Sequence, residues 1–382
     1  MRPLRVHFGT ITPQMPGGIY PTESVFQEAC AASGEVEVTT MPFGRRHRRE
    51  TRVARMLRRF ADLFEYAWRV VTKRPDVVHI NTSLDRRALV RDVGYALLSR
   101  WLGQPLFIKI HGCDNTVLTT PSRFWRWMAR TTIQNADAVG VLSTQVKRHL
   151  VDAGFPESKF TVVCNALNWR RFEHATWPRA EPGRLLFIAR MVPTKGLVDV
   201  IRAVRIVLDR GLQVTLDCVG DGPSRAGAEA LSREFGLSDV VRFTGFVPED
   251  EAARFYFEAG MLVFPTHREG FSMTVFQALA AGLPILTTRC YASADHLREP
   301  DHCLWVERRD PEGLAERIIW LLDHPEAAAH MSRESMKLAR TFDAATVARP
   351  YIEVYRRIAR SAGPAAARRS GVGAGEPRAR SG

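Results

Sequence analysis

The chain has 382 residues, 45% of them hydrophobic and 25% charged, ordinary for a soluble globular protein and enough apolar material for two cores. No stretch reaches the roughly 18 uninterrupted apolar residues of a membrane span, the opening MRPLRVHFGTI lacks a signal-peptide pattern, and six scattered cysteines without CxxC spacing point to reduced thiols in a cytosolic protein. The net charge of +13 selects for anionic partners: nucleic acid, phosphorylated ligands or an acidic membrane surface.

In chain order, LRVHFGTI (4–11) reads as a first strand. It runs into MPGGIY (15–20), where Gly17 and Gly18 permit close approach of a ligand's phosphate or sugar; this is no GxGxxG, so a nicotinamide dinucleotide is a poor fit. The segment 43–74 carries eleven Lys or Arg against three acids, including Arg45, Arg46, Arg48, Arg49, Arg52, Arg55, Arg58 and Arg59. Within it Val53, Leu57, Phe60, Phe64, Trp68 and Val71 fall on one helical face. Two readings stay open: a core-packing helix with a solvated basic face, or a peripheral anchor on anionic lipid through the basic run at 45–59. They can coexist, with the apolar face in the core and the Arg-rich end on headgroups.

Further strands follow at 76–82, 105–112, 138–143 and 160–166, with helices at 86–102 and 122–134 between them. His111 in PLFIKIHG closes one of these strands, where a functional His would sit in a parallel α/β sheet; a hydrogen-bonded structural His is the alternative. HATWPRAEPGRL (174–185) is a composition break read as a linker. The alternation then restarts: strands at 184–190, 213–220, 240–245, 261–266 and 284–288, helices at 196–211 and 223–236. The fold class is therefore α/β, two tandem doubly wound Rossmann-like domains facing across a cleft.

The second half holds the denser chemistry. In FIARMVPTKGL, Arg190 closes a strand and Lys195 precedes Gly196 at a helix start, a spacing that can put two cations at one sheet edge for a diphosphate; a surface Arg and Lys in a loop is the alternative. VGDGP (219–223) and FTGFVP (243–248) are glycine turns after strands. In REGFSMTVFQALAAGLP (268–284), Glu269, Gly270 and Ser272 precede a helix that starts near Met273, and Gln277 sits early on it. Free helix N–H groups there favour an anion or sugar oxygens. Glu269 could equally be a loop charge favourable to the helix dipole, worth ~0.3–1 kcal/mol.

The order of these segments, Arg190 with KG at 195–196, then VGDGP, FTGFV and EGFSMTVFQALAAGLP, resembles the C-terminal domain of glycosyltransferase family 4, retaining nucleotide-sugar enzymes of the GT-B fold. PGG, the HG at 111–112, ADAVGVLS (136–143) and Asn165 with Asn168 look like that family's first domain. The resemblance covers roughly residues 4–361. It implies an acceptor-binding domain at 1–176, a nucleotide-sugar domain at 177–344 and a helix at 345–361 crossing back to the first domain; the Gly-, Ala-, Pro- and Arg-rich 362–382 has almost nothing to bury and reads as a disordered basic tail. The resemblance implies that Arg190 and Lys195 hold the donor diphosphate and that Gly17 and Gly18 close over it. His111 would lie against the transferred sugar, Glu269 would contact its hydroxyls, and the amides of Gly270, Phe271 and Ser272 would surround it. Phe246 and Val247 would receive the base. No metal and no cofactor are implied, since Arg and Lys neutralise the leaving phosphate.

Two departures stand out. Gln277 replaces the family's usual second glutamate, which accepts the ribose hydroxyls, and NALN (165–168) replaces the usual NG-x-D. The expected activity is sugar transfer, with retention, from a nucleotide sugar to a glycan or lipid-linked acceptor in cell-surface polysaccharide or glycolipid synthesis. A non-catalytic nucleotide- or glycan-binding relative is the alternative. The expected location is cytoplasmic, peripheral at the inner membrane face. Nucleic acid is not expected, because no nucleic-acid module appears.

Overall fold

The computed structural model describes residues 2–10, 19–43, 51–112, 116–177 and 181–369. In the first half, β1 (Leu4–Thr10), β2 (Val36–Pro42), β3 (Val77–Thr82), β4 (Leu106–Ile110), β5 (Ala138–Val141) and β6 (Phe160–Val162) form a sheet in the order β2-β1-β3-β4-β5-β6. In the second, β7 (Arg184–Ile188), β8 (Thr215–Val219), β9 (Val241–Gly245), β10 (Met261–Phe264), β11 (Ile285–Thr288) and β12 (Leu304–Val306) form a sheet in the order β12-β11-β10-β7-β8-β9. Every pairing in both sheets is parallel. These are the two doubly wound domains of a GT-B fold.

Two edge strands add to the ten read from the sequence. β2 is a half-exposed strand whose Val36 and Val38 alternate with Glu37 and Thr39, and β12 is only three residues long. The central strands β3 and β4 are buried on both faces; β4 (LFIKI) is apolar but for Lys109, whereas β3 (VVHINT) carries His79, Asn81 and Thr82 into the interior. On one face of the first sheet, Phe8 and Phe107 meet Phe26 of helix Ile19–Ala32 and Tyr351 and Tyr355 of helix Ala344–Arg369. On the other, Ile80, Leu106 and Ile108 share a core with Tyr66 and Tyr95.

Helix Ala344–Arg369 ties the halves together. It packs against helix Ile19–Ala32, the Tyr351 hydroxyl donates to the Cys164 carbonyl at 2.8 Å, and the Tyr355 hydroxyl lies 2.6 Å from His79 Nδ1. It continues to Arg369, eight residues beyond the boundary read from the sequence. Asp295 of the second half accepts from the backbone N–H and hydroxyl of Thr144 at 2.6 and 2.5 Å. The NALN segment joins the seam too, since the Leu167 N–H donates to the Phe342 carbonyl at 2.9 Å.

Helix Arg52–Lys73 corrects one expectation. Its inward face is Leu63, Tyr66 and Val70. The larger stripe of Leu57, Phe60, Phe64, Trp68 and Val71 lies in solvent instead of the core. The helix has two apolar faces, and periodicity finds a face without saying which side it takes. The narrower one wins because Leu63 nests on Gly94 of the neighbouring helix, where a Cβ would come within 3.0 Å. Of the basic run, Arg45, Arg46, Arg48 and Arg49 lie outside the described residues, and Arg58 and Arg59 are half-buried.

Candidate functional site

In a doubly wound sheet, loops at the carboxyl ends of strands diverge where the strand order reverses, and the gap between them takes the ligand. The second sheet reverses between β7 and β10. The loop after β7 carries Arg190, exposed, and the single turn Pro193–Lys195. The loop after β10 carries Glu269 and the amino end of helix Met273–Ala280. Two bonds clamp the loops together: the His267 N–H donates to the Thr194 carbonyl at 2.8 Å, and the Thr266 hydroxyl donates to the same carbonyl at 3.1 Å. Asp199 fixes the clamp through His267 Nε2 at 2.7 Å. Lys195 and Glu269 consequently form a hydrogen-bonded ion pair, both half-buried. The VGDGP turn seats against the same strand end. Gly220 and Gly222 have positive φ, and a Cβ on either would lie within 2.3 Å of the Ala189 or Met191 carbonyl oxygen. These glycines serve backbone-to-backbone packing that fixes the segment bearing Arg190.

The remaining donor-side residues fall in distinct places. Ser272 caps helix Met273–Ala280, its hydroxyl accepting from the Val275 N–H at 3.4 Å. The Phe271 ring turns inward and stacks on Phe276 at 4.0 Å, leaving only its backbone for a ligand. Phe246 is 72% exposed just beyond β9, and Val247 beside it is half-buried. Gln277 is half-buried and engaged within the domain: the Tyr256 hydroxyl donates to its Oε1 at 2.9 Å. Gly17 and Gly18 lie outside the described residues.

On the facing side, His111 follows β4. Its Nε2 lies 2.8 Å from Asn81 Oδ1 and 3.3 Å from Glu23 Oε1. Both are acceptors, so Nε2 carries the proton and Nδ1 is left as an acceptor. Glu23 comes from helix Ile19–Ala32 and forms a buried ion pair with Lys109 at 2.6 Å. The Asn81 amide donates to the other Glu23 oxygen at 3.3 Å. Burial works to raise the Glu23 carboxyl, but Lys109 and then His111 outweigh it and hold it well below the usual carboxylate range. Burial and Lys109 push the His111 imidazole down, with Glu23 countering in part, so the ring is neutral near pH 7.

Sequence reasoning missed Glu23, Asn81 and Lys109. One signal was present: a lysine inside the apolar strand PLFIKIHG must be buried and therefore needs an anion.

The two walls meet at Gly270. A Cβ there would lie 2.8 Å from the His111 carbonyl oxygen, so only glycine lets the second domain's loop reach the first domain's strand end this closely. His111, Gly270, Glu269 and Lys195 thus line one junction, with Arg190 on the adjacent loop. Gln277 is also tied to the body of the second domain through Tyr256.

Two family models match in tandem: a glycosyl transferase 4-like domain over residues 2–166 and glycosyl transferases group 1 over residues 170–338. The chain is 25% identical over 290 residues to a glycogen synthase of Mycobacterium tuberculosis, covering 74% of this chain and 69% of that one. It is 29% identical over 230 residues to a D-inositol 3-phosphate glycosyltransferase of Thermobispora bispora, covering 54% of this chain and 53% of that one. In fold it is similar to Anabaena Alr3699/HepE, solved with UDP and glucose, at a TM-score of 0.70 and 15% identity over 92% of this chain and 99% of that one. It is likewise similar to a sucrose-phosphate synthase of Thermosynechococcus elongatus, at a TM-score of 0.71 and 18% identity over 94% of this chain and all of that one. With both domains matched in order and the GT-B fold in place, the chain belongs to the group 1 glycosyltransferases.

Proposed function

We propose that this glycosyltransferase moves a sugar from a nucleoside diphosphate donor to a glycan or lipid-linked acceptor, with retention at the anomeric carbon and without a metal. The observation that carries the reading is the Lys195–Glu269 ion pair at the switch point of the second sheet, on the same pair of loops as Arg190 and next in sequence to Gly270, which abuts the His111 carbonyl. UDP in the similarly folded HepE structures supports a nucleotide-sugar donor.

Glu269 fixes the Lys195 ammonium at the strand edge, and Arg190 supplies a second cation. As the anomeric bond breaks, negative charge grows on the departing diphosphate, where fixed cations and helix N–H groups stabilise it most. His111 Nδ1 faces the transferred sugar as an acceptor for a hydroxyl. Glu269 orients the sugar, and the departing phosphate takes the acceptor's proton.

The test is donor turnover in Arg190→Ala and Lys195→Ala. Each is expected to lose on the order of 100-fold in kcat, the scale for removing one charge-stabilising donor. Unchanged turnover in both would overturn the diphosphate assignment. Product anomeric configuration by NMR tests retention, and chelator should leave turnover unchanged. One observation favours a second reading, a non-catalytic nucleotide-binding relative: Gln277 offers no carboxylate to ribose and is engaged by Tyr256. Thermal stabilisation by a nucleotide sugar without turnover, with any acceptor tried, would select it.

A further inference from the structure

Helix Arg52–Lys73 presents Met56, Leu57, Phe60, Phe64, Trp68 and Val71 to solvent, each 53% to 76% exposed. Helix Arg86–Leu102 packs beside it, and helix Arg123–Gln134 packs beside Arg86–Leu102 in turn, in the same outer layer. Helix Arg123–Gln134 exposes Phe124 and Trp127, at 56% and 53%. Scattered exposed apolar residues are normal, but a continuous aromatic and aliphatic stripe of this size marks an interaction surface.

Charge says what covers it. The three helices carry thirteen basic residues against three acidic ones, ten of the chain's net +13. An apolar stripe on a layer with a net surplus of ten positive charges is the pattern of a helix lying in an anionic bilayer interface. A second copy of the chain fits poorly: two-fold pairing would set this layer against itself and bring two surpluses of ten together. A polynucleotide would neutralise the charge and leave the stripe in water.

Topology gives the orientation. Each helix returns antiparallel to the strands, so its first residues lie at the carboxyl edge of the sheet, the edge that bears His111. Met56, Leu57, Phe60, Phe124 and Trp127 fall in the amino-terminal halves of their helices, while Phe64, Trp68 and Val71 carry the stripe on along the rest of helix Arg52–Lys73. The apolar layer therefore reaches the rim of the cleft. Among the described residues no helix is long and apolar enough to cross a membrane, so contact is at the surface.

We propose that the first domain docks on an anionic lipid surface through this layer, with the stripe of helix Arg52–Lys73 inserted among the headgroups. The inference goes beyond the transfer reading and does not rest on it.

The test uses the full chain and vesicles of equal parts phosphatidylglycerol and phosphatidylcholine, with pure phosphatidylcholine as control. Co-sedimentation with the mixed vesicles is expected, at least about tenfold weaker on the neutral ones, and Trp68→Phe should abolish most of the blue shift in tryptophan emission on binding. The double substitution Phe64→Ser with Trp68→Ser should weaken binding about tenfold or more, and Phe124→Ser with Trp127→Ser by less. These residues are in solvent, so melting temperature and vesicle-free donor turnover should be unchanged and serve as controls on folding. Three results would overturn the proposal: no binding of the parent chain to mixed vesicles, undiminished binding of the Phe64/Trp68 variant, or light scattering that shows a dimer which the Phe64/Trp68 variant dissociates.

Discussion

The two walls of the cleft reach the same place by different physics. On the second-domain wall, Arg190, Lys195 and Glu269 stand on loops at a topological switch point, and main-chain contacts through Thr194, His267, Gly220 and Gly222 hold those loops. On the first-domain wall, His111 is held by a buried polar cluster assembled from three elements: Glu23 from a helix, Asn81 from β3 and Lys109 from β4. Both arrangements join segments far apart in the chain, 72 and 74 residues on the second wall and 86 on the first. They differ in what is joined: half-buried loops held largely through main-chain groups on one side, fully buried charges on the other, where the stakes are higher because a buried charge without its partner is expensive.

The strongest way to break that contrast is Lys109→Met. It strands Glu23, which must then take up a proton or stay charged in an apolar surround, at ~3–5 kcal/mol. For a domain of this size the loss lowers the melting temperature by about 10 °C or more. Adding Glu23→Gln should restore most of the stability, because an amide needs no counter-charge. The matching change on the other wall, Glu269→Gln, removes a half-buried pair and should move the melting temperature far less while it lowers turnover. Equal melting losses for the two single variants would erase the distinction drawn between the walls.

What the sequence makes legible divides along another line, local pattern against distant pairing. The alternation of strands and helices, the restart after the linker, the helix beginning at Met273 and the Arg190–Lys195 spacing are all local patterns. They were readable because period and punctuation are carried by neighbouring residues. The side taken by the stripe of helix Arg52–Lys73 was not, because Leu63, Tyr66 and Val70 compete for the core from the same helix. Nor was the partner of Lys109, 86 residues away along the chain. Nor was the bond that the Tyr256 hydroxyl donates to Gln277 Oε1, from 21 residues earlier.

Gly270 is where the walls touch, and it sharpens the comparison by testing them together. Gly270→Ala places a methyl 2.8 Å from the His111 carbonyl oxygen, which forces the loop and the strand end apart at ~1–3 kcal/mol. Neither domain's core contains this contact, so each domain should keep its own stability. The cost should appear in kcat/KM, roughly tenfold for each 1.4 kcal/mol. A variant with parental kcat/KM would show that catalysis does not use the Gly270–His111 junction.

The smallest expected effect lies in Gln277→Glu, wholly within the second-domain wall. The Tyr256 hydroxyl donates to Gln277 Oε1 at 2.9 Å, and a carboxylate accepts that bond equally well. The substitution therefore keeps the internal contact and replaces the amide donor with a second acceptor oxygen. An amide can accept one ribose hydroxyl and must donate to the other, whereas a carboxylate accepts both with charge assistance. The gain should be on the order of 1 kcal/mol, about a fivefold lower Kd for a nucleoside diphosphate by calorimetry. A 2′-deoxynucleotide should lose most of that gain, because it lacks one of the hydroxyls. Weaker binding in the glutamate variant would have the opposite meaning. The Tyr256–Gln277 pair would then be the working arrangement of this chain, with the ribose held by other groups on the same wall.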